Sequence, residues 1–125
     1  MKKLFKLFLS AIFTILFFIF HSMAEEKKIK IGLLVPLSGE NSKLGQQIVQ
    51  ATKMALNDID NNQIEIYPKD TNSNPNQTLR SALELEKMGI NVVIGPIFYD
   101  NLIYLNEVKN ITFLSLTNKT LDLPN

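Results

Sequence analysis

The sequence predicts an α/β fold with a doubly wound parallel sheet. Three observations carry that expectation. Two short apolar runs end at Pro, at Val35-Pro36 and at Gly95-Pro96. Each is followed by a stretch with helical spacing of apolar residues. The runs are continuously apolar rather than alternating, which suits parallel strands covered on both faces.

The first 24 residues stand apart from this pattern. Lys2, Lys3 and Lys6 form a positive start, and residues 7–20 are apolar except for Ser10 and Thr14. Ser22-Met23-Ala24 offers small residues where a signal peptidase cuts, so residues 1–24 are expected to be a secretory signal peptide. The apolar run is shorter than the roughly 20 residues a spanning helix needs. The expected mature chain, residues 25–125, keeps 10 basic and all 12 acidic residues, a net charge of −2. That balance offers no basic field for nucleic acid. Its expected location is periplasmic or secreted, after cleavage near Ala24.

Along the mature chain, Ile29–Val35 reads as the first strand, ended by Pro36. Residues 37–41 form a turn cluster, and Ser42 is the expected N-cap of the first helix. Leu44, Ile48, Ala51, Ala55, Leu56 and Ile59 then fall on one stripe. Residues 63–70 alternate, with Ile64 and Ile66 on one side and Glu65 on the other. Pro68 assigns that strand to a sheet edge. Asn74, Pro75 and Gln77 supply an N-cap, a first helical Pro and a capping-box position. Gly89 supplies the stop of that second helix. Residues 90–94 form a buried strand closed by Gly95-Pro96. A third helix is expected over residues 99–109, with Leu102, Leu105 and Val108 on one side. Residues 111–116 complete a fourth strand, followed by a polar loop over residues 117–120. The order β-α-β-α-β-α-β with right-handed crossovers gives the doubly wound sheet.

Several chemistries are excluded. The mature chain has neither His nor Cys, because His21 lies in the leader and no Cys occurs anywhere. Ser-His-Asp and Cys-His catalysis, disulfides, a lipoprotein anchor and His/Cys zinc sites are therefore ruled out. The glycines at 32, 39, 45, 89 and 95 form neither a dinucleotide nor a P-loop signature. A receiver domain shares the strand-helix order but needs carboxylates after the first and third strands, where this chain has Pro36 and Gly95-Pro96. Glu84 and Glu86 are two apart on a helix and do not face each other. Asp70 stands alone at a strand end. No catalytic residue, metal ligand or cofactor is expected.

The run Ile29-Lys-Ile-Gly-Leu-Leu-Val-Pro-Leu-Ser-Gly39, then Leu44-Gly45 opening a long helix, then Ile66-Tyr-Pro-Lys-Asp70, then Val92-Val-Ile-Gly-Pro96, resembles the N-terminal lobe of type I periplasmic binding proteins, the leucine-binding type. The likeness covers nearly the whole mature chain. It implies that residues 25–125 are part of an N-terminal lobe whose second lobe is missing from this sequence. It also implies a non-catalytic role, binding a small solute such as an amino acid or amide for a membrane ABC importer. The loops that would face the solute are residues 38–44, 95–99 and 115–120. Within them Ser38, Tyr99, Thr117 and Lys119 are the candidate ligand-binding residues. Ser38 and Thr117 can hydrogen-bond, Tyr99 can wall a cleft and Lys119 can hold an anion. Leu44 stands where the family often has an aromatic residue. The stretch Gly95-Pro96-Ile-x-x-x-Asn-Leu-x-x-Leu105 is similar instead to penicillin-binding-protein activators of the same fold, which implies a cell-wall synthase as the alternative partner.

Overall fold

A computed structural model describes Lys6 and residues 28–59 and 62–117. The expected signal peptide and Lys119 thus lie outside the described residues, Lys6 apart. The elements run β1 (Ile29–Val35), α1 (Ser42–Ile59), β2 (Ile64–Asp70), α2 (Pro75–Lys87), β3 (Val92–Ile94), two 3₁₀ turns (Tyr99–Leu102 and Leu105–Glu107) and β4 (Thr112–Leu114). The four strands form one sheet in the order β2-β1-β3-β4. All three pairings are parallel, with Val35 beside Asp70 and Leu33 beside Ile94. The fold is thus α/β with an all-parallel sheet, as the sequence predicts. β2 lies at an edge, so the missing N–H of Pro68 costs no interior ladder bond.

The register sorts residues to the two faces. Gly32, Leu34, Val93 and Phe113 share one face, against which α2 packs. Leu34, Ala82, Leu85, Ile90, Val93, Leu105 and Val108 form its core. Gly32 gives them room there: a Cβ would come within 2.7 Å of Leu85 Cδ1 and 2.8 Å of Val93 Cγ2, so these side chains would have to shift. β2 and β3 lie on opposite sides of β1, so right-handed crossovers put α1 on the other face.

Each end of α2 has its own device. Asn74 is extended (φ −125°), and its side chain accepts the Gln77 N–H at 3.0 Å. Gln77 does not complete a capping box; its amide donates to Ser81 Oγ instead. At the other end Gly89 has φ +75°. Its N–H bonds Glu86 O, and the Ile90 N–H bonds Leu85 O. That pair of bonds is the Schellman arrangement, with Leu85 and Ile90 as its apolar contact.

Further expectations change, beginning with β3 and β4, which are each three residues long rather than the five and six expected. Ser42 is the first helical residue of α1 rather than its cap. The Asn41 carbonyl accepts the Gly45 N–H at 3.3 Å, while the Asn41 side chain reaches Ser73 Oγ. The third helix is replaced by the two 3₁₀ turns. Neither has a side-chain cap, and the segment holds Asp100, Asn101 and Asn106, residue types of low helix propensity. Finally, the apolar stripe of α1 is largely uncovered. Gly45 is the only buried residue of α1, and the stripe residues Leu44 and Ile59 are 39% and 61% exposed. On the same side of the sheet Val92 and Leu114 are also exposed.

Candidate functional site

In an open α/β sheet ligands meet the carboxyl ends of the strands, at the point where the winding changes direction. Here that point lies between β1 and β3, because the chain leaves β1 toward β2 and returns to β3 on the opposite side. The loops after these two strands, with those after β2 and β4 beside them, form the candidate site.

The loops after β1 and β2 are joined by Asp70. Register brings it alongside Val35, at the last rung before Pro36. One carboxylate oxygen accepts the N–H groups of Leu37 at 2.7 Å, Ser38 at 3.2 Å and Asn72 at 2.8 Å. The other accepts the Ser38 hydroxyl at 2.5 Å. Partial burial pushes the Asp70 carboxyl up. The Ser38 hydroxyl and the N–H groups of Asn72, Leu37 and Ser38 outweigh that and hold its pKa below the usual carboxylate value. The two loops also touch where Gly39, at φ +75°, leaves no room for a side chain. A Cβ there would come within 2.6 Å of Asn72 Oδ1. Asn72 and Ser73 both have positive φ, and the bond from the Asn72 N–H to Asp70 closes an Asx turn.

The loops after β3 and β4 are joined through Pro96. Its carbonyl accepts the Leu116 N–H at 3.1 Å and the Ser115 hydroxyl at 3.4 Å. The Gly95 N–H donates to Leu114 O, and the Thr117 N–H to Ser115 Oγ. Gly95 has φ +106°, and a Cβ on it would meet Leu34 O at 2.3 Å. This loop therefore runs hard against β1.

Of the candidate residues, Ser38 is exposed in the first loop pair and engaged by Asp70. Tyr99 opens the first 3₁₀ turn and is half-buried. Thr117 is half-buried beside Ser115 in the second loop pair. Lys119 is outside the described residues. The structure thus sets Ser38 apart from Tyr99 and Thr117, on the two sides of the switch point.

Two residues escaped the sequence reading as site groups. Asp70 reads as a lone acid until the β1–β2 register is known. Asn101, inside the Gly-Pro-Ile-x-x-x-Asn-Leu stretch, is 1% exposed. Its amide nitrogen and oxygen make no hydrogen bond. Its signal was an Asn flanked by Leu102, Ile103 and Leu105, a polar residue within an apolar run.

Comparison with known proteins agrees with this architecture. No curated protein matches the chain. Among solved structures, the C-domain of LpoA from Haemophilus influenzae, a regulator of PBP1A, matches with TM-score 0.58 and 27% identity. That match covers 69% of this chain and 27% of that one. An ABC-transporter solute-binding protein from Rhodopseudomonas palustris BisB5, in complex with 3,4-dihydroxybenzoic acid, matches with TM-score 0.61 and 28% identity over 66% of this chain and 24% of that one. The leucine-binding protein LivK from Thermotoga maritima shares the fold at TM-score 0.62 and 17% identity, over 70% of this chain and 27% of that one. The chain thus spans about a quarter of the length of these solved relatives. Two of these relatives are named as binding proteins and one as a regulator. The family model described as periplasmic binding protein matches residues 28–120, and the chain belongs to that family.

Proposed function

We propose that this chain forms part of the N-terminal lobe of an extracytoplasmic receptor that delivers a small solute to a membrane ABC importer. Amino acids, amides and hydroxybenzoates are the first solutes to test. The observation that carries the reading is the pair of tied loops at the carboxyl edge of β1 and β3, where a doubly wound sheet receives its ligand. Ser38 in the loop after β1, Tyr99 after β3 and Thr117 after β4 are the proposed contacts, with Lys119, two residues beyond Thr117 in the sequence, as a fourth. Residues 1–24 direct export and are removed near Ala24. The solute is enclosed when a second lobe closes over this one, as in hinged binding proteins. Solved relatives more than twice as long as this chain support that arrangement. The experiment is a thermal-shift screen of the protein from its native source against those three solute classes. A solute that binds only the folded state raises Tm, and the rise grows with the logarithm of its concentration above Kd. A screen with no response from any class contradicts the reading.

A second reading has its own observation. Asn101 and Leu105, two fixed positions of the stretch that resembles cell-wall synthase activators, are both buried here. Under it the chain acts with a penicillin-binding synthase, and pull-down of such a synthase without any solute response supports it.

A further inference from the structure

The first loop is built around an anion, and the anion is the protein's own. Leu37, Ser38 and Asn72 aim three backbone N–H groups at one oxygen of Asp70, and the Ser38 hydroxyl donates to the other. The successive N–H groups of Leu37 and Ser38 converge as in a concavity that selects negative charge, and the Asn72 N–H joins them from the loop after β2. Pro36 has no N–H to add, so Leu37 and Ser38 supply the first donors after β1. Asp70 enters from β2, a different strand, fixed by the rung that pairs it with Val35. Asn41 to Ser73 is a second bond between the two loops and holds the arrangement from the far side.

We infer that Asp70 is a specificity-determining residue: it fills the anion-binding concavity of the first loop, so that this side of the cleft meets a neutral or cationic part of the solute and never its carboxylate. The inference rests on the solute-binding reading given above. Its logic is occupancy and charge. A solute carboxylate would have to displace Asp70 from four donors while remaining close to its charge. Glu40, exposed in the same loop, adds a second negative charge, against Lys43 in the first turn of α1. Ser38 keeps its hydroxyl lone pairs free for a donor on the solute, because its proton is given to Asp70. Ser38 thus meets a solute as a hydrogen-bond acceptor, its one hydroxyl proton being committed to Asp70.

The test uses formate as the probe, with amide signals of the full chain followed by NMR at constant ionic strength. In the native protein the Leu37, Ser38 and Asn72 amides are expected to show no saturable shift with formate. In Asp70→Ala, if folded, the same three amides shift saturably and Tm recovers part of its loss as formate is added. A saturable response of these amides in the native protein overturns the inference, because the donors would then be available. A folded Asp70→Ala whose three amides ignore formate overturns it as well, because the concavity would not select anions. If Asp70→Ala does not fold, the native arm still decides. Failure of the solute-binding reading is distinguishable, because it would leave the formate results as expected while no solute in the screen raised Tm.

Discussion

The Asp70 carboxylate accepts the Ser38 hydroxyl at 2.5 Å, joining the end of β2 to the loop after β1. A candidate ligand-binding serine is thereby engaged by a neighbouring strand. The bond is accompanied by three backbone donors on the same carboxylate. Removing the acid leaves several donors unpaired at once. Asp70→Ala is expected to lose about 2–3 kcal/mol and Ser38→Ala about 1 kcal/mol, the difference between losing a charged acceptor and losing one hydroxyl. Urea unfolding of both variants checks the order. Equal losses would mean that the backbone donors find water without cost.

The same site sets a pH dependence. The folded pKa of Asp70 lies below its ordinary value, so the unfolded chain binds the proton more readily. Its stabilisation is present above the unfolded value of about 3.9 and is lost as pH falls through the folded value. Glu65, held down by Lys28 and then Tyr67, and the exposed Glu84, held down by Lys69, act in the same direction. Stability is therefore expected to fall on acidification below about pH 4. Asp70→Asn should flatten part of that fall. An Asp70→Asn curve parallel to the native one would remove Asp70 from the account.

Gly45 is the contact point of α1 with the end of β1. A Cβ there would lie 1.8 Å from Pro36 O, which is backbone and cannot turn aside. Gly45→Ala is expected to cost about 3 kcal/mol despite the better helix propensity of Ala, because the first turn of α1 must move. Thermal unfolding measures it. A neutral Gly45→Ala would mean that α1 is free to shift on the sheet.

The two faces of the sheet should respond differently to truncation. Leu85 is fully buried between α2 and the sheet, so Leu85→Ala should cost about 2–5 kcal/mol. Leu114 is 52% exposed on the α1 side, so Leu114→Ser should cost about 0.5 kcal/mol or less in the chain as described. A large loss at Leu114 in the protein from its native source would show that something further covers that face.

What the sequence made legible follows from how local each signal is. β1 and α2 were readable because a Pro-terminated apolar run and an Asn74-Pro75 start act within a few residues. The 99–109 segment was misread because Leu102, Leu105 and Val108 recur every three residues. That spacing fits one face of an α-helix but also the three-residue turn of a 3₁₀ helix. The stripe on α1 was legible, but its exposure was not, because burial depends on what lies opposite. Asp70 was visible as a residue and invisible as a hub. Asn72 is local, but Ser38 and Leu37 lie 32 and 33 positions away and meet it only through the parallel register of β1 and β2.

The most direct test of a solute cleft at the β1–β3 switch point is amide-shift mapping on the protein from its native source. Leucine, an amide such as glutamine, and 3,4-dihydroxybenzoic acid are titrated in turn. The account predicts that at least one shifts amides of residues 95–99 and 115–117 saturably, with the opposite edge at Asn91 and Asn110 unmoved. Saturable shifts confined to that opposite edge, or none with any of the three, would contradict it.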